Sequence, residues 1–201
     1  MTLTRQALAG IAATTMMLTA TAYAQQPPPQ FPEMTFFVTS IGGPQGAKTW
    51  RAYLSTQAVG GTTAVNARDR IGKGPWTNPR GVQVAANVDD LHSPNNKISA
   101  ETAVAETGRL IPSRLYTVNQ HDILTGTQAN GTAFPPDKDM TCGNWTKSGE
   151  GNAMVGHVDR MGLRDDEPSK SWNTSHPSRA CDAASLVATG GAGLLYCFAA
   201  N

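Results

Sequence analysis

Charge is scarce in this sequence: Asp, Glu, Lys and Arg together make up only 15% of its 201 residues. The 16 basic residues nearly balance the 15 acidic ones, and the formal net charge is +1. Nucleic-acid binding and electrostatic attachment to a membrane both need an excess of basic side chains. A nearly neutral surface therefore argues against both kinds of partner.

Common catalytic and metal-binding motifs are also missing. The sequence contains no C-x-x-C and no H-x-x-x-H, which are short ligand spacings typical of zinc sites. It contains no G-x-S-x-G, the usual context of a nucleophilic serine in hydrolases. We therefore expect a protein that is not an enzyme.

Without an internal repeat, a heptad pattern or a second apolar block, we expect one domain over residues 34–201, after a proline-rich leader over 25–33.

No apolar run is long enough to span a membrane. Residues 7–20 form an apolar run that is short and rich in small residues. Arg5 precedes this run and the small-x-small sequence A-Y-A, ending at Ala24, follows it. This arrangement predicts a signal peptide over residues 1–24, and therefore export to the periplasm or secretion. A mature N-terminal helix is the alternative interpretation.

Glycine and proline are abundant, with 20 and 13 residues respectively. This composition favours many short strands joined by turns over a helical bundle. A content of aromatic and β-branched residues predicts a strand within 34–40. Alternation predicts strands within 50–55 and 81–85. The side chains expected in the core from these segments are Trp50, Tyr53 and Leu54.

Cysteine is rare, and its number is odd. Cys142, Cys181 and Cys197 all lie in the last third of the sequence. Export places them in an oxidising compartment, where disulfides form and persist. With three cysteines, at least one thiol is free or pairs with another chain.

A set of short motifs is spread over nearly the whole chain that follows the signal peptide. They read F-F-V-T-S, W-R-A-Y-L-S-T, N-A-R-D-R-I-G-x-G-P-W, H-D-I-L-T-G, T-C-G-N-W-T, G-H-V-D-R, S-W-N-T-S-H-P-S-R-A-C and G-A-G-L-L-Y-C-F-A. Together they resemble a family of exported bacterial proteins described as lectins, with a C-type lectin-like domain of the endostatin type. The resemblance implies an α+β fold of mostly short antiparallel strands, long loops and one or two short helices.

The resemblance also implies two disulfides. It pairs Cys142 with Cys181 as the inner bridge of the long-loop region, and it places Cys197 on the final strand. The partner of Cys197 belongs on a helix between the first two strands, where residues 41–48 form a short glycine-rich segment without a cysteine. We therefore predict that this helix is missing, a loss that bears on folding. Cys197 is then unpaired, and is either buried against the first strands or joined to a second copy in a covalent dimer.

The same resemblance directs attention to sugar and calcium. Calcium-dependent lectins hold sugars through carboxylate and amide oxygens, the hard ligands that Ca²⁺ prefers. The corresponding candidates for Ca²⁺ are Asp165, Glu167 and Asn173, in sequences that only half match the lectin triplets. Amides beside an indole also suit a sugar ring. The candidate sugar-binding residues are Asn144, Trp145, Glu167 and Asn173. A solvated acidic turn and core tryptophans are the alternative interpretations.

Other polar groups have both a functional and a structural interpretation. His92 follows two adjacent carboxylates that would suit a metal, although a solvated loop or a helix start also explains them. His157 and Asp159 suit a catalytic base and its orienting carboxylate, or a structural hydrogen bond. Arg179 suits recognition of a phosphate or carboxylate, or belongs to a rigid turn before the last disulfide cysteine.

These observations lead to one expectation and two rivals. We expect an exported, non-catalytic carbohydrate-binding protein that contacts glycan through the long-loop region, with Ca²⁺ possible but not required. The first rival is a structural or adhesion module of the same fold that binds protein partners. The second is an enzyme that uses His157 and Asp159.

Overall fold

The computed structural model describes residues 31–40, 48–59 and 61–200. The predicted signal peptide, most of the leader and nearly all of the segment from which a helix is expected to be missing lie outside these ranges. Within them, no helix is long and apolar enough to cross a membrane.

The described residues form eight strands and four short helices, which are interspersed along the chain. The strands are β1 (Phe36–Val38), β2 (Trp50–Ala52), β3 (Trp76–Thr77), β4 (Gln83–Ala85), β5 (Asp122–Leu124), β6 (Met154–His157), β7 (His176–Pro177) and β8 (Gly191–Ala199). The helices are α1 (Ala67–Arg70), α2 (Val88–Leu91), α3 (Cys142–Trp145) and α4 (Ala183–Ala188), with a 3-10 turn at Pro168–Lys170. The chain is thus mixed α and β, which is compatible with the predicted α+β class, and its described part has four short helices where one or two were expected.

The longest strand, β8, holds the main sheet together. Its C-terminal half pairs antiparallel with β1 and with β2, and its N-terminal half pairs parallel with β5. β5 pairs antiparallel with β6, and β6 with β7, which gives the order β1-β8-β5-β6-β7. β3 and β4 form a separate two-stranded sheet. Consequently β5, β6 and β7 lie side by side on one flank of the main sheet.

The core is aromatic and is built around β8. Phe36 of β1 and Phe198 of β8 are paired in register, with ring centroids 4.9 Å apart. Trp76 packs edge-on against Phe198 at 5.1 Å, and its indole nitrogen donates a hydrogen bond to a β8 carbonyl. Tyr53 and Trp172 pack with centroids 4.9 Å apart. Each such side chain contributes about 1.5–3 kcal/mol by leaving water.

The predicted strands and core residues are found with small differences. Strands lie within all three predicted segments, 34–40, 50–55 and 81–85. Tyr53 is fully buried, as expected, whereas Trp50 and Leu54 are only half-buried. Trp50 packs instead in a small side cluster with Phe37.

The cysteines follow the predicted pairing. Cys142 and Cys181 form a disulfide with Cα atoms 5.8 Å apart, which confirms the inner bridge. Cys197 is free and buried on β8, between Phe37 of β1 and Ala52 of β2. Burial raises the pKa of its thiol to about 12. The position agrees with burial against the first strands, one of the two predicted alternatives, and the covalent dimer stays a prediction.

Candidate metal centre

Three strands on one flank of the sheet bring three histidines and an aspartate to one point. His121 immediately precedes β5, Asp122 begins β5, His157 ends β6 and His176 begins β7. The strand register places Asp122 opposite His157, and His176 opposite Val155 on the same strand as His157. Backbone pairing therefore sets the spacing of the cluster.

The three imidazoles point at a single carboxylate oxygen. Nε2 of His121, His157 and His176 lies 3.2, 3.3 and 3.6 Å respectively from Oδ1 of Asp122. The rings of His121 and His157 stack with centroids 4.3 Å apart, and the ring of His176 meets that of His157 at 5.1 Å. One ligand atom each from His121, Asp122 and His157 lies within 4.8 Å of the other two.

The opposite nitrogen of each ring contacts an acceptor. Nδ1 of His121 lies 3.0 Å from a carboxylate oxygen of Asp159. Nδ1 of His157 and of His176 lies 2.7 and 3.0 Å respectively from a backbone carbonyl oxygen. Since carbonyls and carboxylates only accept, Nδ1 carries the hydrogen in each ring. In the neutral rings, the lone pair of Nε2 then faces Asp122.

Electron-pair donors therefore converge without hydrogen bonds to hold them together. The side chains of Asp122 and His157 are 2% and 3% exposed. Within the described part of the chain, both carboxylate oxygens of Asp122 and Nε2 of His157 lack a hydrogen-bond partner. Leaving a buried carboxylate uncompensated costs several kcal/mol. The cluster thus needs positive charge, either from protons on the rings or from a metal ion.

The carboxylates around the cluster are held in the ionised form. Burial alone would raise the pKa of Asp122. When His157 and His176 are protonated, each points an Nε2–H group at its carboxylate, and this outweighs burial and lowers that pKa below its ordinary value. In return, Asp122 raises the pKa of His176. Burial is likewise outweighed at Asp159, where hydrogen bonds from His121 and from two backbone N–H groups lower the pKa. A metal-binding carboxylate and a carboxylate that orients a metal-binding histidine are both ionised in this way.

The spacing around Asp122 suits one corner of a tetrahedral site. Zinc lies about 2.0–2.2 Å from histidine nitrogens and carboxylate oxygens, so neighbouring ligand atoms on a regular tetrahedron lie about 3.3–3.6 Å apart. The distances of 3.2, 3.3 and 3.6 Å from the three histidines to Asp122, which are the three edges that meet at this carboxylate, agree with that edge length. Imidazole nitrogens with one carboxylate suit Zn²⁺ and related transition ions, whereas Ca²⁺ takes oxygen ligands.

An open cleft of about 890 Å³ leads to the cluster. His121, His157 and His176 form part of its wall, and the side chain of His176 is 38% exposed. A small ion thus has a route from solvent to the buried carboxylate.

Two of the predicted sugar-binding residues, Asn144 and Trp145, lie outside this cleft, on a turn of unusual conformation. All four residues of α3 have positive φ, from 50° to 67°. Left-handed backbone costs about 1–2 kcal/mol for each non-glycine residue. Asn144 exchanges hydrogen bonds of 2.8 and 3.1 Å with the backbone of Gln57, and the indole of Trp145 donates to the carbonyl of Ser55 at 2.9 Å. Both side chains thus stabilise this strained turn.

The residues predicted to bind Ca²⁺ also lie outside the cleft and differ in environment. Asp165 and Glu167 are exposed, and Asp165 pairs with Lys170. Asn173 is 2% exposed, and its amide nitrogen donates to the hydroxyl of Tyr53 at 3.0 Å and to two backbone carbonyls. The Asn173 amide therefore has a structural role in the core, and a calcium site at these three residues stays a prediction.

The sequence showed each member of the metal cluster but not their convergence. Zinc motifs are recognised by short spacings on one element, whereas these ligands come from three strands. The available signal is a histidine beside each of the three short segments. His121 begins H-D-I-L, His157 ends M-V-G-H, and His176 follows the polar residues of N-T-S-H. Only the pairing of β5 with β6 and of β6 with β7 turns these separate positions into one site.

Comparisons with protein-family models, curated proteins and solved structures found no match. The functional argument therefore starts from the geometry of the cluster, and the lectin resemblance stays a prediction.

Proposed function

We propose that this protein binds a divalent transition-metal ion, with Zn²⁺ as the best fit. The inner ligands are Nε2 of His121 and His157 and a carboxylate oxygen of Asp122. The fourth is Nε2 of His176, which lies 3.6 Å from the Asp122 oxygen. The observation that carries the proposal is the buried Asp122 carboxylate, which has no hydrogen-bond partner among the described residues and is approached by Nε2 of three imidazoles.

Four protein ligands favour a binding role over a hydrolytic one. Catalytic zinc sites keep one position open for water, whereas sites with four protein ligands are closed. The outer contacts also suit a tightly held ion, because Asp159 and two backbone carbonyls fix the orientation of the rings. Metal capture, or stabilisation of this flank of the sheet by metal, is the function we assign to the cluster.

The direct test is metal stoichiometry and affinity, measured by equilibrium dialysis and calorimetry on metal-free protein. We expect one Zn²⁺ per chain, and intense visible absorption of a tetrahedral site when Co²⁺ is bound instead. At a free Zn²⁺ concentration 100 times the dissociation constant, binding stabilises the fold by about 2.7 kcal/mol. For a domain of this size, that raises the melting temperature by about 5–10 °C.

Two variants and one control assign the ligands. His157→Gln and Asp122→Asn should lose tight Zn²⁺ binding, because each removes one donor from the buried centre. The control is His92→Gln, which changes the one histidine of the sequence that lies outside the cluster and contacts Tyr53. This variant should bind Zn²⁺ like the unaltered protein. Equal binding by all three variants, or no binding by the folded unaltered protein, would show that the cluster is a proton-holding hydrogen-bond network.

Carbohydrate binding is a second candidate, and it comes from the lectin resemblance. The observation in its favour is the Cys142–Cys181 disulfide, which the resemblance implied. A glycan array probed with folded protein, in Ca²⁺ and in a chelator, tests this candidate and its calcium dependence together. Absence of glycan binding in both conditions would count against a lectin, and it would leave the adhesion module as the remaining use of that fold.

A further inference from the structure

The cleft beside the metal cluster differs in charge from the rest of this nearly neutral protein. Among the described residues that line it are three arginines and three histidines, and none of these lining residues is an aspartate or a glutamate. Arg164 is paired with Asp166, at 2.8 Å, but Arg114 and Arg179 form no ion pair with any described carboxylate. These two guanidinium groups therefore have no ion-pair partner among the described residues and suit recognition of an anion.

The same cleft also exposes large apolar side chains. Val118, Leu163 and Val187 line it, with 61%, 92% and 63% of their surfaces exposed. The structure describes ten exposed large hydrophobic residues, and three more of them, Leu115, Tyr116 and Met161, are chain neighbours of lining residues. Scattered exposed apolar residues are ordinary, but their concentration around one cleft indicates a binding surface.

The size of the cleft restricts what these two features recognise together. A volume of about 890 Å³ lies within the range of small-ligand pockets, about 300–1,000 Å³. The lining combines apolar side chains with a few charged groups, as such pockets do. A ligand that satisfies both features has an anionic head and an apolar body.

We propose that the cleft binds a small amphiphilic carboxylate. Its head pairs with the guanidinium groups of Arg114 and Arg179, and its hydrocarbon part packs on Val118, Leu163 and Val187. The inference rests on the proposed metal function in one respect: a bound divalent ion adds positive charge beside His176 at the cleft wall and strengthens attraction of the head group.

The experiment is calorimetric titration of the full chain with octanoate, in metal-free and in zinc-loaded protein. 1-Octanol serves as the neutral analogue and acetate as the head group without a body. We expect octanoate to bind at least ten times more tightly than either analogue, and more tightly to the zinc-loaded protein. Arg114→Gln and Arg179→Gln should each weaken octanoate binding by about tenfold, the usual scale for one charged hydrogen bond.

Arg109→Gln is the matched control, because Arg109 is an exposed arginine outside the cleft, and it should leave octanoate binding unchanged. Equal affinity for octanoate and 1-octanol, or equal octanoate binding by all three arginine variants, would overturn the proposal. Zinc uptake without octanoate binding would refute the carboxylate site alone. Octanoate binding by a protein that takes up no zinc would refute the metal centre and leave the carboxylate site standing.

Discussion

Removal of the disulfide gives a prediction whose size follows from the chain. Cys142 and Cys181 are bonded across a sequence separation of 39 residues. On the chain-entropy model, closing a loop of this length lowers the entropy of the unfolded chain by about 13 cal/mol/K, or about 4 kcal/mol at 25 °C. A domain of ordinary stability has only about 5–15 kcal/mol in total. The double variant Cys142→Ser, Cys181→Ser should therefore lose a large share of the stability.

The closed loop also contains two of the proposed Zn²⁺ ligands. Removal of the bridge therefore tests the proposed site as well as the stability of the fold. β6 and β7 lie between the two cysteines, so His157 and His176 are inside the loop. One end of the bridge, Cys142, belongs to the left-handed turn at α3. The double variant should therefore bind Zn²⁺ more weakly as well as unfold more readily.

Urea unfolding followed by tryptophan fluorescence measures the loss directly. With a denaturant slope of about 2 kcal/mol per molar urea, a loss of 4 kcal/mol lowers the midpoint by about 2 M. Cys197→Ala is the control, since this thiol is free and its removal breaks no covalent link. A midpoint shift of about 0.5 M or less in the double variant would refute the entropic reasoning, because the bridge would then restrict the unfolded chain far less than the chain-entropy model requires.

Three further outcomes are expected. Cys197 should react with a thiol reagent at pH 8 only after unfolding, because burial raises its pKa to about 12. Gly156→Ala should destabilise the fold by about 1–3 kcal/mol or more, because its added Cβ would lie 1.9 Å from the carbonyl oxygen of Trp172. Partial burial opposes ionisation of Asp139, but three hydrogen bonds donated to its carboxylate outweigh burial and lower its pKa. The stability from that lowered pKa is present above the unfolded pKa of about 4 and is lost as the pH falls through the folded pKa.

Each of these outcomes has its own check. Labelling of Cys197 in the folded protein at the rate seen in urea would contradict its burial. For Gly156, the control is Gly149→Ala, since a Cβ at Gly149 meets no atom within 4 Å, and equal midpoints for the two variants would contradict the steric argument. For Asp139, the difference in urea midpoint between Asp139→Asn and the unaltered protein should shrink between pH 6 and pH 3, and a constant difference would contradict the linkage.

Local patterns in the sequence predicted the strands well, because the signal for a strand is local. Aromatic and β-branched residues marked the segment that contains β1, and alternation of large with small or polar residues marked the segment that contains β2. The resemblance supplied the Cys142–Cys181 pairing, which spacing alone left open. The four short helices were harder to predict, since each has only one or two turns. One local signal is present at the start of α4. The side chain of Asp182 caps this helix by accepting a hydrogen bond from the backbone N–H of Ser185.

The candidate site could be predicted only in part. The sequence contains the His121–Asp122 and His157–Asp159 pairs, and a structural hydrogen bond was a sufficient interpretation of the second pair. Their common function depends on the register of strands that are far apart in sequence, and single-sequence patterns carry no register information across such distances. Asn173 was predicted as a ligand because an amide suits a sugar. Its burial against Tyr53 depends on the folded core and cannot be seen in the sequence around it.

The position of β8 has a consequence for how quickly the chain reaches this fold. Phe36 pairs with Phe198, about 160 positions away. β1 and β2 pair with β8, and β5 pairs with β8 along one edge and with β6 along the other. Folds dominated by such distant pairings form slowly, on the scale of milliseconds to seconds. Until β8 docks, the edges of three strands are open to other copies of the chain. Refolding yield should therefore fall steeply with protein concentration, and the interval before β8 docks is when this protein most needs a chaperone.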